Sequence, residues 1–103
     1  MSVTHEQFAK LVDDQLDYCR QLMVVKGAEY NPHTDRLANF RIGADIAGVP
    51  AAQYLWGLMI KHFASLREVV IGGHAISADQ LKEKITDIIN YLLLLKALLE
   101  DQK

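Results

Sequence analysis

Leu81-Lys82-Glu83-Lys84-Ile85-Thr86-Asp87-Ile88-Ile89-Asn90-Tyr91-Leu92-Leu93-Leu94-Leu95-Lys96-Ala97-Leu98-Leu99 is the stretch whose periodicity sets the fold class. Leu81, Ile85, Ile88, Leu92, Leu95 and Leu99 recur at alternating spacings of four and three, which puts them on one seam of an α-helix. Ile89, Leu93, Leu94 and Leu98 widen the apolar surface until the C-terminal half is greasy nearly all round. Ser77-Ala78-Asp79-Gln80, just ahead, is a capping box and marks the start. Such a helix needs other helices to lie against.

The rest of the chain supplies them. Pro50 suits the first turn of a helix, and Leu55, Leu58, Met59, Phe63, Leu66 and Val70 follow at helical spacing until Gly72-Gly73. Val69-Val70-Ile71 reads as the end of that helix and not as a strand. A shorter helix over 35–47 carries Leu37, Phe40, Ala44 and Ala47 on one stripe, with Gly48 as its stop. Thr4-His5-Glu6-Gln7 is a second capping box, and it opens a helix through Phe8, Leu11, Val12, Leu16, Cys19, Leu22 and Met23. Gly27 is expected to stop it, and the polar segment 27–34 to form a loop, because Pro32 disfavours helix at Asn31. The expected architecture is all-α, a four-helix bundle in one domain over 1–103.

Composition agrees. The 103 residues are 50% apolar and 23% charged, which suits one globular core. A formal net charge of −2, without a basic cluster, argues against gripping a long nucleic acid but leaves room for a single nucleotide. Cys19 is alone, so no intrachain disulfide or Cys-rich zinc site forms. His5, His33, His62 and His74 show no metal-motif spacing. The longest apolar run, Tyr91 to Leu95, is far short of the ~18 residues of a membrane span, and MSVTHEQF does not read as a signal peptide. The expectation is a cytoplasmic protein that does not engage the membrane.

Chemistry is concentrated on two helices. Glu83, Asp87 and Asn90 fall at i, i+4 and i+7 along one line, and two carboxylates with an amide offer oxygens to a hard cation such as Mg²⁺. A solvated face, with Glu83 and Asp87 paired to Lys84, is the other reading. Lys61, Ser65 and Glu68 repeat the same spacing on the preceding helix, with His62 alongside. Facing a metal, Lys61 would hold a phosphate and Glu68 would add a ligand. Lys26, Glu29, Tyr30, Asp35, Arg36, Asn39 and Arg41 make the segment between the first two helices dense in charge and hydrogen-bonding groups.

In order along the chain, Lys26-Gly27-Ala28-Glu29-Tyr30-Asn31, Asn39-Phe40, Leu58-Met59-Ile60-Lys61-His62 and Glu83-Lys84-Ile85-Thr86-Asp87-Ile88-Ile89-Asn90-Tyr91 carry a likeness. They resemble small phage and bacterial proteins related to the MazG-like all-α NTP pyrophosphatases. The last segment is the most specific. The resemblance implies a helical bundle assembled as a dimer or tetramer. It also implies Mg²⁺, or Mn²⁺ in its place, bound by Glu and Asp from two helices, and cleavage of an NTP or dNTP to the monophosphate and pyrophosphate. Asp87 matches the acidic residue of the last-helix motif, and Glu83 its partner one turn earlier. The position after that partner is often a second glutamate and is Lys84 here. The ExxE pair common on the earlier helix is absent between Gln53 and Ile71, which leaves Glu68 or Glu29 to supply further oxygens. In this reading Glu83, Asp87 and Lys61 are catalytic, with Lys26 and Arg41 adding positive charge. Tyr30 and Phe40 would stack on the base, and Asn39 would read its edge.

Two other functions suit the same helices: a catalytically degenerate nucleotide-binding or protein-interaction bundle, and a purely structural oligomer. The missing ExxE separates the first of these from the enzyme, and the line Glu83-Asp87-Asn90 argues against the second. The near-circumferential apolar surface of the last helix points to a homo-oligomer on physical grounds alone, because one bundle core covers a stripe only somewhat over ~100° wide.

Overall fold

Thr4 begins the first helix as its sequence requires: its Oγ1 accepts from the Gln7 amide at 3.1 Å while its own amide donates to Gln7 Oε1 at 2.9 Å. The computed structural model describes residues 2–30 and 34–101, the side chain of Tyr30 excepted. Helix α1 runs His5–Arg20 and passes into a π-helical segment, Gln21–Lys26, and then into α2, Gly27–Tyr30. Gly27 therefore does not stop the helix. Its φ of −59° is right-handed helical, and its amide donates to the Leu22 carbonyl five residues back, the bond of a π turn. A Cβ there would stand 2.7 Å from Nη2 of Arg36, the mobile end of a long side chain that a small shift would clear. The expected turn at Asn31-Pro32 lies outside the described residues.

Helix α3, Ala38–Ala47, starts three residues later than its periodicity suggests. Asp35 holds the chain in a turn by accepting from the Leu37 amide at its Oδ1, 3.0 Å away, and from the Ala38 amide at its carbonyl, 3.1 Å away. Gly48, at φ 73°, ends α3 in the left-handed conformation that glycine adopts without strain. Pro50 caps α4, Ala51–Val70. Ser77 and Gln80 exchange their box hydrogen bonds at 3.0 and 3.1 Å, and α5 follows as Ala78–Asp101. Among the described residues there is no strand, and no helix is long and apolar enough to cross a membrane.

Helix α5 is the hub. It packs on α4 and on α1, while α3 packs on α4. Helices α4 and α5 are antiparallel, since His62 and Ser65 meet Asp87 and Lys84 in reversed order. Leu37, Leu55 and Leu98 form the buried core, with Phe40, Ala51, Tyr91, Leu94 and Leu95 packed against it. Arg41 ties α3 to the end of α5 by bonding Asp35 at 2.8 Å and Asp101 at 2.7 Å. On the α1 side, Thr86 is fully buried, accepts from Gln15 Nε2 at 2.6 Å and donates to the Lys82 carbonyl at 2.6 Å.

The seam is not where α5 is most deeply buried. Leu81, Leu92 and Leu99 are 41%, 48% and 47% exposed, and the fully buried residues of α5 are Thr86 and Leu98, which lie off the seam. The reason is geometric, because α1 and α4 occupy the two flanks of α5 and leave the seam between them open. The chain is accordingly drawn out to 48 × 29 × 25 Å, and its radius of gyration of 15.9 Å exceeds the roughly 13 Å of a compact domain this long.

Core position predicts a stability order. Leu55→Ala should cost about 2–5 kcal/mol through lost burial and the cavity left. Thr86→Val, which keeps shape but removes the hydrogen bonds to Gln15 and to the Lys82 carbonyl, should cost about 1 kcal/mol. Urea unfolding of both variants checks this, and a reversed order would contradict a core centred on Leu55.

Candidate functional site

The polar line on α5 faces α4 along part of its length. Glu83, Lys84 and Asp87 line a cleft of 250 Å³ with Gln80 from the same helix and His62 and Ser65 from α4. Antiparallel packing brings the Lys84 ammonium to the Ser65 hydroxyl, to which it donates a hydrogen bond. Nδ1 of His62 stands 3.7 Å from Oδ2 of Asp87, an ion pair only when the imidazole is protonated. The His62 ring also packs on Tyr91, with centroids 4.9 Å apart. Two carboxylates and one ammonium leave one net negative charge in the cleft when His62 is neutral.

A second cleft of 330 Å³ shares Ser65, Gln80 and Lys84 and adds Glu68 and His74. Glu68 therefore lies one step along the same groove, where Oε2 is 3.9 Å from His74 Nε2, and does not join Glu83 and Asp87. Glu29 is exposed on α2. Among the described residues, no three His, Cys, Asp or Glu side chains stand together as a metal-holding group. The described residues therefore form no closed metal site, and Glu83 and Asp87 present the one or two carboxylates that Mg²⁺ takes from a protein when water and phosphate oxygens supply the rest.

The other expected residues are dispersed. Lys61 is exposed and does not line the cleft with its neighbour His62. Lys26 and Asn39 are exposed on the π segment and on α3. Phe40 packs against the core, and Arg41 is engaged by Asp35 and Asp101, a geometry that raises its already high pKa through the Asp35 hydrogen bond first. The Tyr30 side chain lies outside the description. Asn90 shares the line with Asp87, yet its Oδ1 is buried and meets no hydrogen-bond partner among the described residues.

Sequence reasoning passed over Gln80 and gave Lys84 only a pairing role. The register of α5 held the signal: Lys84 is three residues before Asp87, on the flank that α4 must cover once Leu98 is in the core. Neither family models, nor curated proteins, nor solved structures give a match to this chain.

The environment of Tyr91 makes a testable statement about pH. Burial, then the charge of Asp87 and then Tyr54, hold its phenol above the usual value of 10.0. The folded state therefore keeps a proton that the unfolded chain releases, so stability falls as pH rises through about 10. Tyr91→Phe should show a shallower fall than wild type when melting temperatures are compared between pH 8 and pH 11. Identical slopes would place Tyr91 in water.

Proposed function

We propose that the chain acts on nucleoside triphosphates at the α4/α5 cleft, as a pyrophosphohydrolase converting an NTP or dNTP to the monophosphate and pyrophosphate. The observation that carries this reading is the convergence of Glu83, Asp87, Lys84 and His62 on one cleft. The ordered motifs that resemble the all-α NTP pyrophosphatases support it from the sequence side. Glu83 and Asp87 are the residues that would hold Mg²⁺, which when bound neutralises phosphate charge and polarises the phosphorus for attack.

Each remaining group has a role that follows from its chemistry. The Lys84 ammonium exchanges the Ser65 hydroxyl for a phosphate oxygen and stabilises developing negative charge, taking the part assigned by spacing to Lys61. Ser65 and Gln80 donate hydrogen bonds to the same phosphates. His62, with Nδ1 turned to Asp87, keeps Nε2 to accept a proton from the attacking water. Water adds to the α-phosphorus, the bond to the bridging oxygen breaks, and pyrophosphate leaves with that oxygen.

A nucleotide-binding bundle without turnover is the second reading, favoured by the absence of a three-residue metal group among the described residues. Purified protein with each common nucleotide and Mg²⁺ or Mn²⁺ separates the two. The enzyme releases pyrophosphate and no orthophosphate, and Asp87→Asn lowers that rate more than tenfold, ~1.4 kcal/mol, with the fold intact. Metal-dependent binding without turnover selects the second reading. Neither binding nor turnover would remove both.

A further inference from the structure

The groove between α4 and α5 does not end at Glu83 and Asp87. Beyond Ser65, Gln80 and Lys84, which both clefts share, the second cleft continues to the turn that joins the two helices. That turn is tightly made. The Gly72 amide donates to the Arg67 carbonyl and the His74 amide to the Glu68 carbonyl, each at 3.3 Å. A Cβ on Gly72 would stand 2.6 Å from the Glu68 carbonyl oxygen, so the turn closes on α4 only with glycine there. The closure sets His74 beside Glu68, with Nε2 3.9 Å from Oε2. It also places Ala75 and the half-buried Ile76 in one lining with the half-buried Val69.

The two ends of the groove differ in chemistry. Glu83 and Asp87 share theirs with Lys84 and His62. At the turn the anion is Glu68, and among the described residues Lys84, at the junction, is the one permanent cation lining that cleft. A phosphate placed at the turn would meet a carboxylate with no second cation, and like charges at that range repel. A nucleoside brings no charge. Its ring suits the apolar surface of Val69, Ala75 and Ile76, and the His74 imidazole offers a face on which it stacks. Its sugar suits Glu68, because a carboxylate accepts at two oxygens and the 2′- and 3′-hydroxyls of ribose donate two hydrogen bonds. At 330 Å³ the cleft lies at the low end of the roughly 300–1,000 Å³ of small-molecule pockets, which suits one part of a nucleotide and not all of it.

The geometry points to a nucleoside subsite in this second cleft. Glu68 accepts from the 2′- and 3′-hydroxyls of a ribonucleotide, the base lies against Val69, Ile76 and His74, and the phosphates run past Lys84 toward Glu83 and Asp87. This assignment deepens the nucleotide reading of the α4/α5 cleft and rests on it. Glu68, whose spacing suggests a further metal ligand, instead selects ribose over 2′-deoxyribose.

Calorimetric titration of the full chain with Mg²⁺ tests the assignment. The probes are each common ribonucleoside triphosphate and its 2′-deoxy counterpart, made non-hydrolysable at the α–β bridge. Wild type should bind the ribose member of every pair about tenfold more tightly, and Glu68→Ala should lose that margin by weakening ribonucleotides alone. Equal affinities within the wild-type pairs overturn the inference, as does a Glu68→Ala that weakens both members alike or changes the preference among bases only. If Glu68→Ala does not fold, the His74 ring resonance of wild type decides. It should shift with Mg²⁺ and a ribonucleotide analogue and stay in place with Mg²⁺ and inorganic tripolyphosphate. An equal shift with tripolyphosphate puts phosphate at the turn and refutes the subsite. Nucleotide binding without a sugar preference overturns this inference and leaves the α4/α5 reading standing, whereas no nucleotide binding overturns both.

Discussion

The contact between α4 and α5 is where the core and the polar cleft meet. Leu55 and Leu98 close the apolar end of that contact, and Lys84, Ser65, His62 and Asp87 make its polar end. Burying Leu55 and Leu98 fixes the rotation of both helices, at roughly 1.5–3 kcal/mol for each leucine buried. Once that rotation is set, Lys84 must meet Ser65 and Asp87 must lie beside His62, since they fall on the same flank roughly two to four turns away. Thr86, facing α1, is carried to the other flank by the same rotation, where Gln15 receives it. The cleft is therefore a consequence of how the core packs and needs no separate scaffold.

Local chemistry was legible in the sequence wherever one residue's conformation decides an element. The boxes at Thr4–Gln7 and Ser77–Gln80 and the left-handed Gly48 all stand where the residue types put them. Gly27 does not end the helix because glycine adopts right-handed helical backbone, φ −59° here, as readily as the left-handed conformation that stops one. The delayed start of α3 came from one Asp35 side chain competing for the Leu37 amide. The seam is a helix face, as its spacing predicts, but periodicity shows that a face wants cover without showing which element supplies it.

The site was legible in part for a related reason. Spacing within one helix put Glu83 and Asp87 on a common line, and they do share a cleft. Which residues of α4 face them depended on the rotation of a second helix, so Ser65 and His62 were available from the sequence but not distinguishable from Lys61 or Glu68. The mixture of charges there is also chemically coherent. In the proposed function, the two carboxylates and the ammonium of the cleft would meet a ligand carrying both signs of charge, a metal-chelated triphosphate.

Paramagnetic relaxation tests the central claim most directly. Mn²⁺ would be added with a non-hydrolysable nucleotide triphosphate to isotopically labelled protein, and amide broadening followed along the chain. Broadening centred on Glu83–Asp87 of α5 and His62–Ser65 of α4 is the result that the packing of these two helices predicts. Broadening centred on Glu29 and Lys26, with the amides of α5 left sharp, would contradict it.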